Sequence, residues 1–488
     1  MIKFDFDNSY ARELEGFYVP WEGAKVPAPT IVKVNEALAH ELQLDPVGLH
    51  GTEGASILAG MVTPAGGKPL AQAYAGHQFG GFSPQLGDGR ALLVGEVINR
   101  HGQRRDIHLK GSGRTPFSRG GDGKAVLGPV LREYLMGEAM HALGIPTTRA
   151  LAAVATGETI YREGPQPGAV LARVAASHLR VGTFQYFAAH TSPEKVQQLA
   201  DYAIARHYPE LAATANPYLE LLRTVCDRQA RLIAQWMSVG FIHGVMNTDN
   251  MAISGETIDY GPCAFMDFYD PKTVFSSIDT QGRYAYGNQP GIAQWNLARF
   301  AETLLPLIDP NQEEAVRIAT AEVRAFAATY TTYWLAAMRA KLGLVTPAED
   351  DLDLVNTLFT AMEGQQVDFT QFFRRLAKAM IGEAGPVRAL FVDSAKLEPW
   401  LVRWQQRVQR EGSDPVAQAA AMNQVNPVYI PRNYKVEEAL QAASAGELTK
   451  FEFLLTVLAA PFTERHEFGE YAEPAPASFG RYTTYCGT

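Results

Sequence analysis

Part-way along this chain the sequence changes texture, and that change limits the folds open to it. From Gln72 to Arg119, glycine-rich turns alternate with short apolar runs such as ALLVGEVI (Ala91–Ile98) and DIHLKG (Asp106–Gly111). Runs of that length between glycines predict strands of a small sheet. One helix follows: Leu127, Leu131, Leu135, Ala139 and Leu143 recur every four residues, and Gly144-Ile145-Pro146 ends the pattern. ALAAVATGETIYRE (Ala150–Glu163) reads as a hairpin turning near Gly157. Beyond about Tyr186 the pattern is helical, with amphipathic stretches at Leu219–Val239, Ala298–Leu307, Glu313–Leu342, Asp351–Met362 and Lys396–Arg410. Residues 1–70 are rich in Pro and Gly around one helical patch, Val34–Leu44, and read as an N-terminal extension. The expected class is α+β: a sheet-containing unit over residues 71–185, a helical body over 186–465 and a tail over 466–488. Function is expected in the crevice between sheet and helices.

A core large enough for this plan is available, because 47% of the 488 residues are hydrophobic and 19% charged. That balance excludes a disordered, collagenous or disulfide-scaffolded chain. The net charge of −9 argues against a nucleic-acid-coating protein. Three cysteines, Cys226, Cys263 and Cys486, are too few and too scattered for a disulfide framework or a Cys-rich zinc site. The opening MIKFDFDNSYARELEGF lacks the pattern of a signal peptide, and the apolar run Phe453–Phe462 is about half the ~20 residues that span a bilayer. A soluble, cytoplasmic protein with neither nucleic-acid nor membrane partners is expected.

Chemistry concentrates in four places. Gly87-Asp88-Gly89-Arg90 opens a strand, where glycines let backbone N–H groups approach a phosphate; a plain tight turn has the same pattern. Lys110 ends a strand, and Glu133 lies on the following helix. A strand lysine paired to a helix glutamate is how kinase-like folds hold a nucleotide phosphate. Glu138 is a rival partner about 140° further round that helix, so one of the two can face the sheet. SRGGDGKA (Ser118–Ala125) combines glycines with Arg119, Asp122 and Lys124, and reads as an anion nest or as a surface loop. Arg173 and Arg180 are seven residues apart, so they point together on a helix and oppose one another on a strand.

The fourth place is FIHGVMNTDNMAI (Phe241–Ile253) followed by TIDYGP (Thr257–Pro262). Asn250 and Asp259 are hard oxygen donors suited to Mg²⁺ or Mn²⁺ on a nucleotide. Against the kinase pattern H-R-D-x-x-x-x-N and D-F-G, His243 and Asn250 keep the spacing and Asp259-Tyr260-Gly261 matches the triplet. The base position, however, holds Val245, which cannot accept a proton; Asp249 is the nearest substitute. His243 and His77 both read as core histidines rather than catalytic ones.

Together AQAYAGHQFGGFSPQLGDGRA, IHLKGSGRTPFSRGGDG, GFIHGVMNTDN and IDYGP resemble the selenoprotein O (SelO) family, called YdiU in bacteria, over essentially the full chain. The resemblance implies a protein-kinase-like two-lobed fold, a small sheet-containing N-lobe and a larger helical C-lobe, that binds ATP in a flipped orientation. It implies transfer of AMP to Ser, Thr or Tyr hydroxyls of proteins, with UMP from UTP as a manganese-dependent variant. By position it makes Gly87, Gly89, Arg90, Lys110, Asp122, Gly123, Arg173, Arg180 and Asp259 the nucleotide contacts. Asp249 becomes the proton acceptor, Asn250 and Asp259 the metal ligands, and Glu133 the partner of Lys110. The family's selenocysteine position is Cys486 here, and a redox bond to Cys263 is expected by analogy. The competing readings are a catalytically inactive pseudokinase scaffold and a small-molecule phosphotransferase.

Overall fold

A computed structural model describes residues 2–485. Its largest sheet has eight strands, all paired antiparallel. In chain order the molecule's strands are β1 (Tyr18–Pro20), β2 (Thr30–Val34), β3 (Leu70–Gln72), β4 (Gly76–Gln78), β5 (Gly81–Ser83), β6 (Ala91–Ile98), β7 (Arg104–Lys110), β8 (Ala125–Val126), β9 (Arg149–Tyr161), β10 (Pro165–Ala175), β11 (Phe241–Ile242) and β12 (Ala264–Phe265). The large sheet runs β1-β3-β6-β7-β10-β9-β2 with β8 beside β10, while β4–β5 and β11–β12 form separate two-stranded pairs. The first seventy residues therefore supply two strands, β1 and β2, to the sheet they were expected to extend.

Both faces of this sheet are covered. Ile107, Leu109, Val154, Val170 and Val174 share an apolar cluster with Leu38, Leu49 and Leu58 of the N-terminal segment. Leu171 and Ala153, alternating with them, pack with Leu131 and Leu135 of the helix Leu127–Ala142. Each of these Val, Leu and Ile side chains contributes about 1.5–3 kcal/mol by leaving water. The alternation of β7 has a functional result: with Ile107 and Leu109 in the first cluster, His108 and Lys110 turn toward the helix that carries Glu133.

Gly157 does not turn the chain. β9 runs through it for 13 residues, with Gly157 at φ 75° inside a register shift against β10, and the reversal comes at Arg162–Gly164. A bulge accommodates a left-handed glycine within a strand, so the residue that suggested a turn marks extra chain instead.

The rest is helical. Pro217–Val239 starts at Asn216, whose side chain accepts from Leu219 N at 3.1 Å, and ends at Gly240 with φ 73°. Gln289–Ile308 and Gln312–Lys341 pack onto it. The short β11–β12 ladder follows, and the chain between its strands holds both Asp249 and Asp259. Among the described residues no helix is long and apolar enough to cross a membrane.

Candidate active site

One carboxylate gathers the cations. Asp259 Oδ1 accepts from Lys110 Nζ at 2.8 Å and from Arg173 Nη1 at 2.7 Å, and its Oδ2 accepts from Arg180 Nη1 at 3.2 Å. Lys110 also meets Glu133 Oε2 at 2.6 Å, and Arg173 meets Glu133 Oε1 at 3.2 Å. Burial opposes ionisation of Asp259, but Arg173, Lys110 and Arg180 outweigh it and hold the carboxyl well below its ordinary range. Asp259 sits at φ 60°, a left-handed backbone conformation that a non-glycine residue adopts at a cost of about 1–3 kcal/mol.

The rivalry on the helix resolves toward Glu133. Glu138 faces the other way and holds Arg149 through two bonds of 2.8 and 2.7 Å. Arg173 and Arg180 follow neither simple rule. Arg173 lies in β10, opposite His108 of β7, whereas Arg180 caps the helix Val181–His190, and the bend between them brings both guanidiniums to one carboxylate.

Asp249 lies in a short helical turn, Thr248–Asn250, and is buried. Gln78 Nε2 donates to its Oδ2 at 3.2 Å, and its Oδ1 is buried without a partner. Burial raises its pKa to about 6. The fit is close: a Cβ on Gly76 would stand 2.4 Å from Asp249 Oδ1, so β4 can run this near the carboxylate only as glycine. Asn250 Nδ2 donates to the Val245 carbonyl at 2.9 Å, which leaves Oδ1 as the end available to a cation. His243 is fully buried, and its Nε2 donates to the Ile258 carbonyl at 2.9 Å, bracing one loop against the other.

The glycine loops are placed differently. Gly87 has φ 68°, and a Cβ there would meet the Phe117 ring at 2.3 Å; Gly89 packs on the Phe117 carbonyl. Arg90 is half-buried beside them at the start of β6. Asp122 forms a two-bond pair with Arg162 at 2.9 Å, and Lys124 pairs with Glu158. Among the described residues, Asp122 makes no polar contact with the Lys110–Asp259 cluster, and Gly123 packs on the Gly113 backbone. Cys263 is fully buried, and burial pushes its thiol up to about 11. Cys486 lies outside the described residues.

A family model described as "Protein adenylyltransferase SelO" matches residues 1–459. The chain belongs to the SelO family. A relative named protein nucleotidyltransferase YdiU, from Cereibacter sphaeroides, is 62% identical over 489 residues and is covered in full, as is this chain. One of the same name from Rhizobium rhizogenes is 57% identical over 486 residues, covering 99% of this chain and 97% of the relative. A third, from a Mycobacterium species, is 56% identical over 489 residues, with both chains fully covered.

In this SelO chain three further residues shape the cluster without having stood out in the sequence. His108 Nδ1 accepts from Arg173 Nε at 3.2 Å, which sets its tautomer and lets Nε2 donate to Asp88 Oδ2 at 3.2 Å. Asp88 and His108 thus hold Arg173 from behind; that His108 shares the face of Lys110 was the signal available. Arg132, next to Glu133, donates through Nη2 to the Cys263 carbonyl and through Nη1 to Tyr482 Oη at 3.0 Å. As to a cation, among the described residues no group of three or more His, Cys, Asp or Glu is arranged to hold one. Asn250 Oδ1 and Asp259 are hard oxygen donors of the type that suits Mg²⁺ or Mn²⁺, and both Asp259 oxygens here accept from Lys110, Arg173 and Arg180.

Proposed function

We propose that this chain transfers AMP from ATP to Ser, Thr or Tyr hydroxyls of proteins, on a kinase-like body whose residues 71–185 hold the nucleotide and whose residues 186–465 supply the catalytic loops. The observation that carries this reading is the convergence of Lys110, Arg173 and Arg180 on Asp259 at 2.7–3.2 Å, with Glu133 behind. A kinase-type Lys–Glu pair accounts for one cation. The two arginines supply a second, fixed positive region, which suits a nucleotide bound with its terminal phosphates turned toward them.

In the reaction, Asp249 accepts the proton of the acceptor hydroxyl, whose oxygen forms a bond to the α-phosphorus. The bond from that phosphorus to the bridging oxygen of the β-phosphate breaks, and pyrophosphate leaves with the electron pair. Arg173 and Arg180 hold the leaving charge, and Lys110 steadies the phosphates. A bound Mg²⁺ or Mn²⁺, held by Asn250 and Asp259, would supply charge compensation at the phosphates. Val245 in the usual base position supports an altered catalytic loop, and the buried, pKa-raised Asp249 supports its reassignment. Thr484 Oγ1 donates to the Pro262 carbonyl at 2.7 Å, which supports a redox link between Cys263 and Cys486 two residues further along the tail.

The test uses ATP labelled on the α- or the γ-phosphate, a carrier protein, Mg²⁺ or Mn²⁺, and wild type beside Asp259→Ala. Label from the α-position alone, lost in the variant, is the expected result. Label from the γ-position makes the chain a phosphotransferase, and ATP binding without label makes it a scaffold. UTP labelled on its α-phosphate decides the UMP variant in the same assay.

A further inference from the structure

The hairpin β4–β5 stands directly over Asp249 and carries more than the cluster needs. His77 N donates to Thr248 Oγ1 at 2.7 Å, Gln78 Nε2 to Asp249 Oδ2 at 3.2 Å, and Phe79 N to Asn247 Oδ1 at 3.2 Å. Its two-residue turn places Phe79 at φ 52° and Gly80 at φ 87°. A turn with both central residues left-handed ordinarily takes Asn or Asp first; a phenylalanine there is strained. Phe79 is nevertheless 37% exposed and Phe82 43% exposed. Phe79 packs against the Tyr284 ring at 5.1 Å, and strain that leaves the rest of a large apolar side chain exposed beside a catalytic carboxylate points to contact with something outside the chain.

A cationic strip adjoins this tip. The His77 ring lies 4.9 Å from Phe82 and 5.2 Å from Trp295, and Trp295 carries the guanidiniums of Arg283 at 4.8 Å and Arg299 at 5.0 Å. The turn itself abuts Arg283, since a Cβ on Gly80 would be 3.6 Å from that guanidinium. Arg299 pairs with Glu302 at 2.7 Å, whereas among the described residues no carboxylate pairs with Arg283, and its Nε is buried without a partner. In a chain of net charge −9, an arginine held on aromatic rings without a counter-ion is a local attraction for negative charge.

We propose that the hairpin tip and Arg283 form the acceptor-binding surface, and that it takes an extended polypeptide segment carrying Asp or Glu near the modified hydroxyl. The hydroxyl must reach Asp249, beside Gln78, while Arg283 lies beside Gly80. Gln78 and Gly80, which carry those two contacts, are two residues apart in the hairpin, so the acidic side chain is assigned two or three residues from the target, roughly 7–10 Å of extended chain. Phe79 and Phe82 contribute apolar contact that does not depend on sequence.

This inference rests on the nucleotidyl-transfer reading, so binding and transfer are measured separately. Fluorescein-labelled peptides with a central Tyr, flanked at the second and third positions by Glu or by Lys, are titrated with the full chain by anisotropy. The same peptides receive α-labelled ATP in a transfer assay. The acidic peptide is expected to bind roughly ten-fold more tightly, Arg283→Glu to reverse that preference and Arg283→Gln to erase it. Phe79→Gly, which relieves the strained turn, is expected to weaken both peptides alike. ATP still raising the Tm of each variant marks an intact fold. Equal binding of the two peptides, or a preference that survives in Arg283→Glu, overturns the surface. Transfer without charge preference sinks the surface and leaves the activity; charge-dependent binding without transfer sinks the activity and leaves the surface.

Discussion

Charge in the buried cluster predicts an order of stabilities for two single substitutions. Lys110, Arg173 and Arg180 are 13%, 4% and 2% exposed, and Glu133 and Asp259 are the carboxylates ion-paired with them. Asp259→Asn therefore removes the one carboxylate that all three cations share, whereas Lys110→Met leaves both arginines bonded to Asp259 and Arg173 also bonded to Glu133. An uncompensated buried charge costs about 3–5 kcal/mol, while a balanced loss costs about 1 kcal/mol or less. With about 2.1 cal/mol/K of unfolding entropy per residue, a 488-residue chain loses roughly 1 °C of Tm per kcal/mol. Asp259→Asn should then melt about 3–5 °C below wild type and Lys110→Met within about 1 °C of it, by scanning fluorimetry without nucleotide. Metal-free ATP brings anionic phosphate to the surplus cations, so it should raise the Tm of Asp259→Asn more than that of wild type. Both variants lose transfer, so activity alone would not separate them. Equal shifts, or a Lys110→Met protein less stable than Asp259→Asn, would refute the charge count.

Three further outcomes are expected. Glu133→Gln should lower α-label transfer about 100-fold, while Glu138→Gln keeps it within about 3-fold and loses about 1–2 kcal/mol of stability from the Arg149 pair; the opposite ranking would reassign the Lys110 partner. Gly76→Ala drives a methyl to within 2.4 Å of Asp249 Oδ1, so transfer should disappear while ATP still shifts the Tm; an active variant would remove Asp249 from the reaction. Lys341 is buried over the Phe373 ring at 4.2 Å, and burial lowers its pKa from 10.5 to about 7. The unfolded chain keeps that proton up to about 10.5, so the penalty on folding is full below pH 7 and fades as pH rises from 7 to 10.5. Lys341→Met should therefore add roughly 3–5 kcal/mol at pH 6 and little near pH 10, and a gain independent of pH across Tm scans would contradict the assignment.

Much of the site could be read from the sequence because it rests on local periodicity. Strand alternation put Lys110 on the face away from Ile107 and Leu109, and helical periodicity limited its partner to Glu133 or Glu138. What periodicity could not choose was the roll of the helix, which is set by packing on β9 and by the Glu138–Arg149 pair. Arg173 and Arg180 were ambiguous for a related reason: they flank a strand-to-helix bend, and no single repeat describes both sides of it. Gly157 misled because a left-handed glycine serves a bulge as readily as a turn. The hydrogen bonds of Asp88 and His108 to one another and to Arg173 depend on which strands neighbour one another, a long-range property that spacing along the chain does not carry. The joining of the N-terminal β1 and β2 to the main sheet is long-range in the same sense.

Arg132 and Glu133 are consecutive residues facing different partners, and that adjacency bears on control. Glu133 grips Lys110 in the sheet, while Arg132 grips the Cys263 carbonyl and Tyr482. A roll of the helix Leu127–Ala142 large enough to release Lys110 would also pull Arg132 off both of its anchors. The helix is thus not a free lever that an activator could swing in and out; it is latched by the segment around Tyr482. Removing the segment around Tyr482 would release one of those anchors without touching a residue of the site.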